Sequence, residues 1–411
     1  MVHYISKFGQ LIMNNRFYSL DIFRGATVAL MILVNNPGSW SHIFAPLEHA
    51  TWQGCTPTDL VFPFFLFAVG NAMAFVIPSL KEHSSAIFYK KIIKRSAIIF
   101  SIGLLLNWIP FFYWHNNILE FKSWTFFNTD ANGNLFEDGI RIMGVLQRIA
   151  ICYLLASIIA FYFEIKKVIY ICVTILLAYW FVTWFFGTAD PYSLTGFFGN
   201  NIDSSILSKH HLLHIDKVNN KVFHFDYEGL ISTTTAIVQV LMGYLVGYFI
   251  IKKGKTYEMI FQLFVFACLL LVIGYCWDFV FPISKKMWSS SYTVYTSGLA
   301  VLTIAVLVYF IEMKKIKNNF TKFFDVFGKN PLFIFVLSGF LPRVLSLIRI
   351  SEMDEMGKPI FLNPLSWFYH HICKNISSDL RIGSLLYAII LIFFYWLICF
   401  ILDKKKIYIK V

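Results

Sequence analysis

The sequence predicts an all-α fold, a polytopic bundle of transmembrane helices. Three observations carry this. The chain of 411 residues is 58% hydrophobic and only 14% charged, which excludes a string of soluble domains. Its apolar runs reach the roughly 20 residues that cross a hydrocarbon core as a helix. They are continuous rather than alternating, which selects helices over the strands of a membrane barrel.

About ten spans follow from this criterion. They are placed at 20–36, 59–78, 92–113, 141–163, 168–187, 229–251, 258–280, 291–313, 325–347 and 381–402. The ninth is the least regular, because Asn330, Pro331, Pro342 and Arg343 interrupt it. From Pro342 to Asp379 the chain is too polar to span and too long for a tight turn. Residues 1–18 hold no continuous apolar core ahead of a small-residue cleavage site, so the first span is expected to be its own insertion signal. No internal repeat or low-complexity segment is visible, and residues 1–411 are expected to form a single transmembrane domain.

The net charge of +12 would suit a nucleic-acid partner, but its distribution points elsewhere. Lys81, Lys90, Lys91, Lys94 and Arg95 fall together. Lys166 and Lys167, then Lys252, Lys253 and Lys255, then Lys314, Lys315, Lys317 and Lys322, and finally Lys404, Lys405 and Lys406 follow. Every second connection is basic, which is the positive-inside pattern. The charge orients the protein and calls for no nucleic acid. Both termini are expected in the cytoplasm, with loops 37–58, 110–140, 188–228, 282–290 and 348–380 on the other side. The segment 188–228 is the largest of these and reads as a lid or rim. Five of the seven cysteines lie inside spans. Cys55 and Cys373 lie outside, and unpaired thiols are expected, because no disulfide framework is visible.

The residues that carry chemistry gather at the helix ends on the outer side. His49 lies between two spans, close in sequence to Asn35 and Asp59. Most loop histidines merely face water, but a histidine here has the chemistry to take a proton from an amine or hydroxyl, or to take an acyl group itself. Asn35 lies 16 residues after Ser19, about 24 Å along a helix. It either caps the first span ahead of Pro37 and Gly38 or offers an amide N–H to an oxyanion. Asn36 is the better cap, which leaves Asn35 free. Thr56, Pro57 and Asp59 read as N-cap, N1 and N3 of the second span. Asp59 therefore closes a capping box, orients His49, or does both.

Arg141 and Arg148 are seven residues apart, which puts them on one helical face about 10 Å apart. Arginine within a span is costly and points to function. They contact an acidic acceptor or a cofactor phosphate, or else form an internal pair with Asp59, Glu228 or Asp278. Gln147 sits beside them. Glu228 opens the sixth span, with Ser232 and Thr233 following. Trp288, Ser289 and Ser290 open the eighth, and Trp288 also reads as an interfacial belt residue. Trp40, Trp52, Tyr192 and Trp288 place aromatic rings on the outer side. His210, His211 and His214 have a metal-like spacing but no completing carboxylate or cysteine, and His370 and His371 form only a pair, so no metal is expected. No glycine-rich nucleotide cradle is present.

Several stretches carry a resemblance. SLDIFRG, from Ser19, is similar to the first-helix signature of a broad group of integral-membrane acyltransferases. HATWQGCTPTDLVFP, from His49, resembles the heparan-α-glucosaminide N-acetyltransferase family and its bacterial relatives. RIMGVLQRIAICY from Arg141, FDYEGLIST from Phe225 and KKMWSSSYTVYTSG from Lys285 match in order, so the resemblance covers nearly the whole chain after residue 16. Tyr227 stands where relatives have proline, and Thr235 where they often do.

The resemblance implies a membrane acyltransferase with acetyl-CoA as co-substrate, bound from the cytoplasmic side with its pantetheine arm in the bundle. The acetyl group would pass near His49 to an amino sugar or glycan acceptor outside, at an amine or a hydroxyl. His49, the histidine of the HAxWxG motif, would be base or nucleophile, with Asn35 and Asp59 as catalytic partners. Arg141, Gln147, Arg148, Glu228, Trp288 and Ser290 would bind substrate. The expected location is the bacterial inner membrane, as a multi-pass protein with His49 facing away from the cytoplasm, and a homodimer is left open. A rival of another class is a small-molecule transporter, suggested by ten spans, a broken ninth helix and intramembrane arginines. The clustering at one mouth and the lack of an inverted repeat favour chemistry.

Overall fold

A computed structural model describes residues 17–115, 117–129, 135–218, 221–353 and 359–409. The apolar runs form the helices expected of them. α1 (Tyr18–Asn35) ends where Pro37 and Gly38 follow. A capped 3-10 turn (Pro57–Leu60) leads into α2 (Val61–Lys81). α3 (Ser85–Trp108) stops at Ile109–Pro110, short of the expected 113, because β1 (Phe112–His115) and β2 (Ile118–Phe121) form a hairpin directly afterwards. A second hairpin joins β3 (Thr125–Thr129) and β4 (Leu135–Gly139).

α4 (Val145–Tyr162) begins after Arg141, not at it. The physical reason is local. The Asn107 amide donates to the carbonyls of Arg141 and Met143, and Ile142 N donates to His211 O, so segment 140–144 is pinned outside a helix. Arg141 and Arg148 therefore do not share a helical face.

α5 (Ile165–Phe186) is followed by the short α6 (Gly199–Leu207) and the β5 (His214–Val218) and β6 (Lys221–His224) hairpin, so segment 188–228 is a structured rim. α7 (Leu230–Lys253), α8 (Tyr257–Asp278) and α9 (Ser290–Val308) come next, α9 running on as a π-helical turn to Met313. α10 (Asn319–Lys329) and α11 (Pro331–Leu345) meet at an angle of 79°. Asn330 sits at this bend and holds the chain's end: its amide donates to Ile407 O and its carbonyl accepts from Ile409 N. A last hairpin, β7 (Ile350–Met353) with β8 (Pro359–Leu362), precedes α12 (Pro364–Phe368) and α13 (Leu380–Lys404).

Among the described residues, eight helices are long and apolar enough to cross a membrane, and the bent α10–α11 pair would make a ninth span. α3 has 24 residues, but Lys90, Lys91, Lys94 and Arg95 crowd its first half. The remaining span, expected at 92–113, falls on this helix, which is not among those apolar enough to cross, so by length and composition the described residues give eight or nine spans and not ten. The protein is thus a polytopic all-α bundle whose four two-stranded hairpins lie in the connections. α7 runs through the centre, and α5, α8 and α13 show large apolar side chains such as Phe181, Phe261 and Phe393 outward, as lipid-facing helices do. At the centre α2 and α7 touch backbone to backbone. A Cβ on Gly70 would stand 1.9 Å from Val240 O, and one on Gly243 would stand 2.1 Å from Phe67 O. Only glycine permits that approach, a common device of membrane helix pairs.

Candidate active site at one mouth of the bundle

Asp59 is the fixed point. Thr56 and Asp59 complete the expected capping box, with Pro57 between them. One carboxylate oxygen, Oδ2, accepts from Ala50 N and Thr56 N, each at 3.1 Å; Thr56 Oγ1 is equally near but gives its one proton to Glu48 O at 2.6 Å. The other, Oδ1, lies 2.7 Å from His49 Nδ1. The two roles foreseen for Asp59, cap and histidine partner, are thus both filled, one by each oxygen. Tyr292, on α9, donates to the Asp59 carbonyl at 2.6 Å and ties the turn to the bundle.

A third group was not expected. Lys285 Nζ stands 3.1 Å from His49 Nδ1 and 3.5 Å from Asp59 Oδ1. It arrives through a stitched pair of loops. Gly54 N donates to Ile283 O at 2.7 Å, Ser284 Oγ donates to Trp52 O at 2.7 Å, and Gly54 and Ser284 form a parallel bridge. Gly54 has φ +103°, which a side chain would strain, so glycine is needed there. Burial pushes the Lys285 ammonium down, and Asp59 and Glu228 oppose that. Burial pushes the neighbouring Cys55 thiol up to about 12, with Asp59 adding to the effect, so no thiolate nucleophile competes with the histidine.

These groups open onto a cavity of about 250 Å³, lined by Asn35, His49, Asp59, Glu228, Lys285 and Lys286 over an apolar floor of Met31, Phe62, Phe65 and Phe335. With Nδ1 turned to Asp59 and Lys285, the other ring nitrogen, Nε2, is the one left for a substrate. A second cavity of about 340 Å³ adjoins it, sharing Asn35, and is lined by Asn107, Arg141, Gln147, Ser338 and Arg343. The Asn35 amide makes no hydrogen bond among the described residues, whereas Asn36 Nδ2 donates to Ile32 O at 3.0 Å. Asn36 thus caps α1, and Asn35 stands free between the two cavities. The Gln147 amide nitrogen is buried without a partner.

The remaining predicted residues support these walls. Arg141 grips Asp226 with Nε at 2.8 Å and Nη2 at 2.5 Å, and also bonds Glu228. Burial would lower its pKa, but the two carboxylates more than reverse this and raise it. Of the partners considered for Arg141, Glu228 is correct, Asp59 and Asp278 are not, and Asp226 is one that the spacing did not reveal. Arg148 is wholly buried and lines neither cavity. It bonds Tyr227 O, Gly229 O and the Ser232 hydroxyl, and stacks 4.9 Å from the Trp288 ring. Trp288 is only 1% exposed, so it is neither a belt residue nor a free stacking surface. Its φ of +51° is held by edge contacts with Phe62 and Tyr292. The Ser290 hydroxyl donates to Leu176 O. Trp52 lines the first cavity and donates to Tyr192 O at 2.6 Å, while Trp40 is largely exposed.

His211 is buried against Ile140 O, and His371 stands 3.3 Å from Glu352. Among the described residues no group of three histidines, cysteines or acids is placed to hold a metal. All seven cysteines are free. Lys285 and Lys286 did leave one signal in the sequence: two adjacent lysines on the side where the positive-inside pattern leaves few.

A third cavity, of about 830 Å³, opens at the opposite end of α1. Arg24, Arg95, Lys329 and Asp21 line it together with Asn71; Arg24 pairs with Asp21, and Lys329 with Asp325 and Asp403, so cations exceed carboxylates in the lining but two of them are already paired. Asn71 is 3% exposed, and among the described residues neither its amide nitrogen nor its oxygen has a partner.

Fold and site together define a multi-pass membrane protein with a histidine–carboxylate–lysine group at one mouth and a basic cavity at the other. The chain belongs to the heparan-alpha-glucosaminide N-acetyltransferase catalytic family, whose model matches residues 16–275. It is 24% identical to the heparan-alpha-glucosaminide N-acetyltransferases of Mus musculus, over 372 residues, and Homo sapiens, over 371. Each alignment covers 78% of this chain, and 53% of the mouse and 52% of the human protein. The chain spans about half the length of the curated relatives it matches.

Proposed function

We propose that this protein is a membrane acetyltransferase that moves an acetyl group from acetyl-CoA to an amino sugar or glycan acceptor, with the His49 mouth facing away from the cytoplasm. The observation that carries it is the His49–Asp59 pair, opening beside the free Asn35 amide onto a cavity of about 250 Å³. Asp59 holds the proton on Nδ1, so Nε2 takes the acceptor's proton or takes the acetyl group itself. Asn35 donates to the oxyanion that develops on the acetyl carbonyl. The adjoining chamber, with Arg141, Asn107, Gln147 and Arg343, holds the acceptor.

The basic cavity at the other end fits acetyl-CoA as co-substrate. Arg24, Arg95 and Lys329 suit its phosphates. Asn71 carries a buried donor and a buried acceptor without partners, the complement of a pantetheine amide. Asn71 lies 12 residues from Asp59, about 18 Å along the helix, so the acyl end points toward His49.

The test incubates purified protein with labelled acetyl-CoA and a panel of amino sugars. Sugar-dependent release of CoA with acetylated sugar is expected, and His49→Ala is expected to abolish it while acetyl-CoA still binds. Near-native turnover in His49→Ala would overturn the assignment. The bend at Asn330 and the cavities at both ends also suit a transporter. Uptake of sugar into proteoliposomes without acetyl-CoA would favour that reading.

A further inference from the structure

Lys285 lies 236 residues from His49 in sequence and beyond residues 16–275 that the family model matches, yet among the described residues it is one of two charged groups touching the ring. We propose that Lys285 is a positioning residue that acts through His49: its ammonium keeps the ring neutral, with the Nδ1–H directed at Asp59 and Nε2 open to substrate. This rests on the reading of His49 as base or nucleophile.

The geometry separates the two oxygens of Asp59. Oδ2 accepts from two backbone N–H groups, those of Ala50 and Thr56, which hold the carboxylate ionised. Oδ1 alone is left for His49 and Lys285. At 2.7 Å a proton must lie between Oδ1 and Nδ1, and with the carboxylate ionised that proton belongs to the ring. Asp59 by itself would then favour a second proton on Nε2, since an anion stabilises the imidazolium. An imidazolium can neither take a proton nor attack a thioester. Lys285 Nζ stands 3.1 Å from Nδ1, but with the Nδ1 proton directed at Oδ1 there is no lone pair for the ammonium, so Lys285 turns its own protons to Asp59 Oδ1, 3.5 Å away, and opposes the ring's charge through space alone. With Lys285 charged, the group of Asp59, neutral His49 and Lys285 sums to zero, and protonating the ring would leave a net positive charge at the cavity wall.

Other charged groups facing the ring do not replace it. Glu228 lines the same cavity, but Arg141 holds its carboxylate. Lys286 also lines the cavity, and its ammonium stands over the Tyr227 ring at 5.0 Å. The Cys55 thiol stays neutral. The loop stitching at Gly54 and Ser284 keeps Lys285 against the ring, so this charge is built into the fold.

The test reads ring protonation without needing acetyl transfer. Diethylpyrocarbonate modifies only neutral imidazole, and mass spectrometry of the peptide containing His49 follows its rate against pH. The full-length detergent-purified protein is compared with Lys285→Met, Lys285→Gln and Lys285→Arg. The two neutral variants are expected to need a pH higher by on the order of one unit for half-maximal modification, and Lys285→Arg to restore the wild-type midpoint. The acid limb of kcat/KM for acetyl transfer should move the same way. Coincident midpoints in wild type and either folded neutral variant would overturn the role of Lys285. A shifted midpoint in a wild-type background that shows no acetyl transfer would instead sink the acetyltransferase reading and leave the electrostatic role standing.

Discussion

Asp59→Asn isolates the tautomer of His49 from the folding of the turn, because the two oxygens of Asp59 have different partners. Asparagine has one acceptor and one donor end. Two backbone N–H groups meet Oδ2 at 3.1 Å each, while His49 Nδ1 at 2.7 Å and Lys285 Nζ at 3.5 Å meet Oδ1. The amide oxygen will therefore turn to the Oδ2 position, because two backbone N–H groups there can only donate, whereas the imidazole facing Oδ1 can change tautomer. The capping box survives, and the amide NH2 faces His49 Nδ1. A donor there demands a lone pair on Nδ1, which moves the ring proton to Nε2 and blocks it as base or nucleophile. A wrong tautomer of this kind costs about 10⁴-fold in a serine-protease triad. Here kcat/KM for acetyl transfer is expected to fall by about 10³- to 10⁴-fold. Stability will fall too, because Lys285 loses its carboxylate; breaking a buried pair costs about 3–5 kcal/mol, and partial exposure here brings the figure lower. The assay is labelled-acetyl transfer on monodisperse protein, with a thermal melt beside it and Asp59→Ala as the variant that also loses the cap. Turnover within about tenfold of wild type in folded Asp59→Asn would refute the reasoning.

Asn71→Leu removes a buried amide that has no partner, so Tm is expected to hold or rise, while the Kd for acetyl-CoA rises about tenfold; unchanged affinity by calorimetry would exclude Asn71 from the co-substrate site. Arg141→Met leaves the buried Asp226 and Glu228 without their cation and is expected to cost about 3–5 kcal/mol, read as a lowered Tm; an unchanged melt would mean the pair is not stabilising. Burial lifts the Asp203 carboxyl from its ordinary 3.8 to about 6, so the folded state binds this proton more tightly than the unfolded chain. That interaction is least costly below about pH 4 and costs up to about 3 kcal/mol once pH rises through 6. Asp203→Asn keeps an acceptor for Leu230 N and Ile231 N and should flatten the fall in Tm between about pH 4 and 6; an unchanged slope would assign that fall elsewhere.

What the sequence revealed and what it hid divide by range. The Thr56–Asp59 cap and the His49–Asp59 pair span only three and ten residues, and both were legible because short separations leave few geometries. The long apolar runs were legible because lipid imposes one solution on the backbone. Arg141 was misplaced because helical spacing was extended through Gly144, where side-chain bonds from Asn107 hold the chain open. Trp288 and Ser290 were read as facing substrate because they open a helix at the right mouth, yet packing turns both inward. Lys285 and Asp226 could not be placed, because their partners lie 236 and 85 residues away. The four hairpins are each four or five residues a strand, too short for an alternating pattern to stand out among polar connections.

The cavities at the two ends also bear on how the proposed reaction crosses the membrane. Along α1, Arg24 lines the basic cavity and Met31 the histidine cavity, seven residues or about 10 Å apart. Along α2 the boundary falls between Ala68 and Phe65, and along α11 between Leu332 and Phe335. These pairs are three residues apart, roughly one helical turn. The partition is therefore a thin apolar septum with Phe65 and Phe335 on its histidine side. A transporter has to pass its whole solute through such a septum. An acyltransferase has to pass only the narrow thioester end of a co-substrate that stays anchored by its phosphates. The polar groups suit this narrower passage. Cations line one end, the unpartnered Asn71 amide lies along the way, and the histidine stands just beyond the phenylalanines.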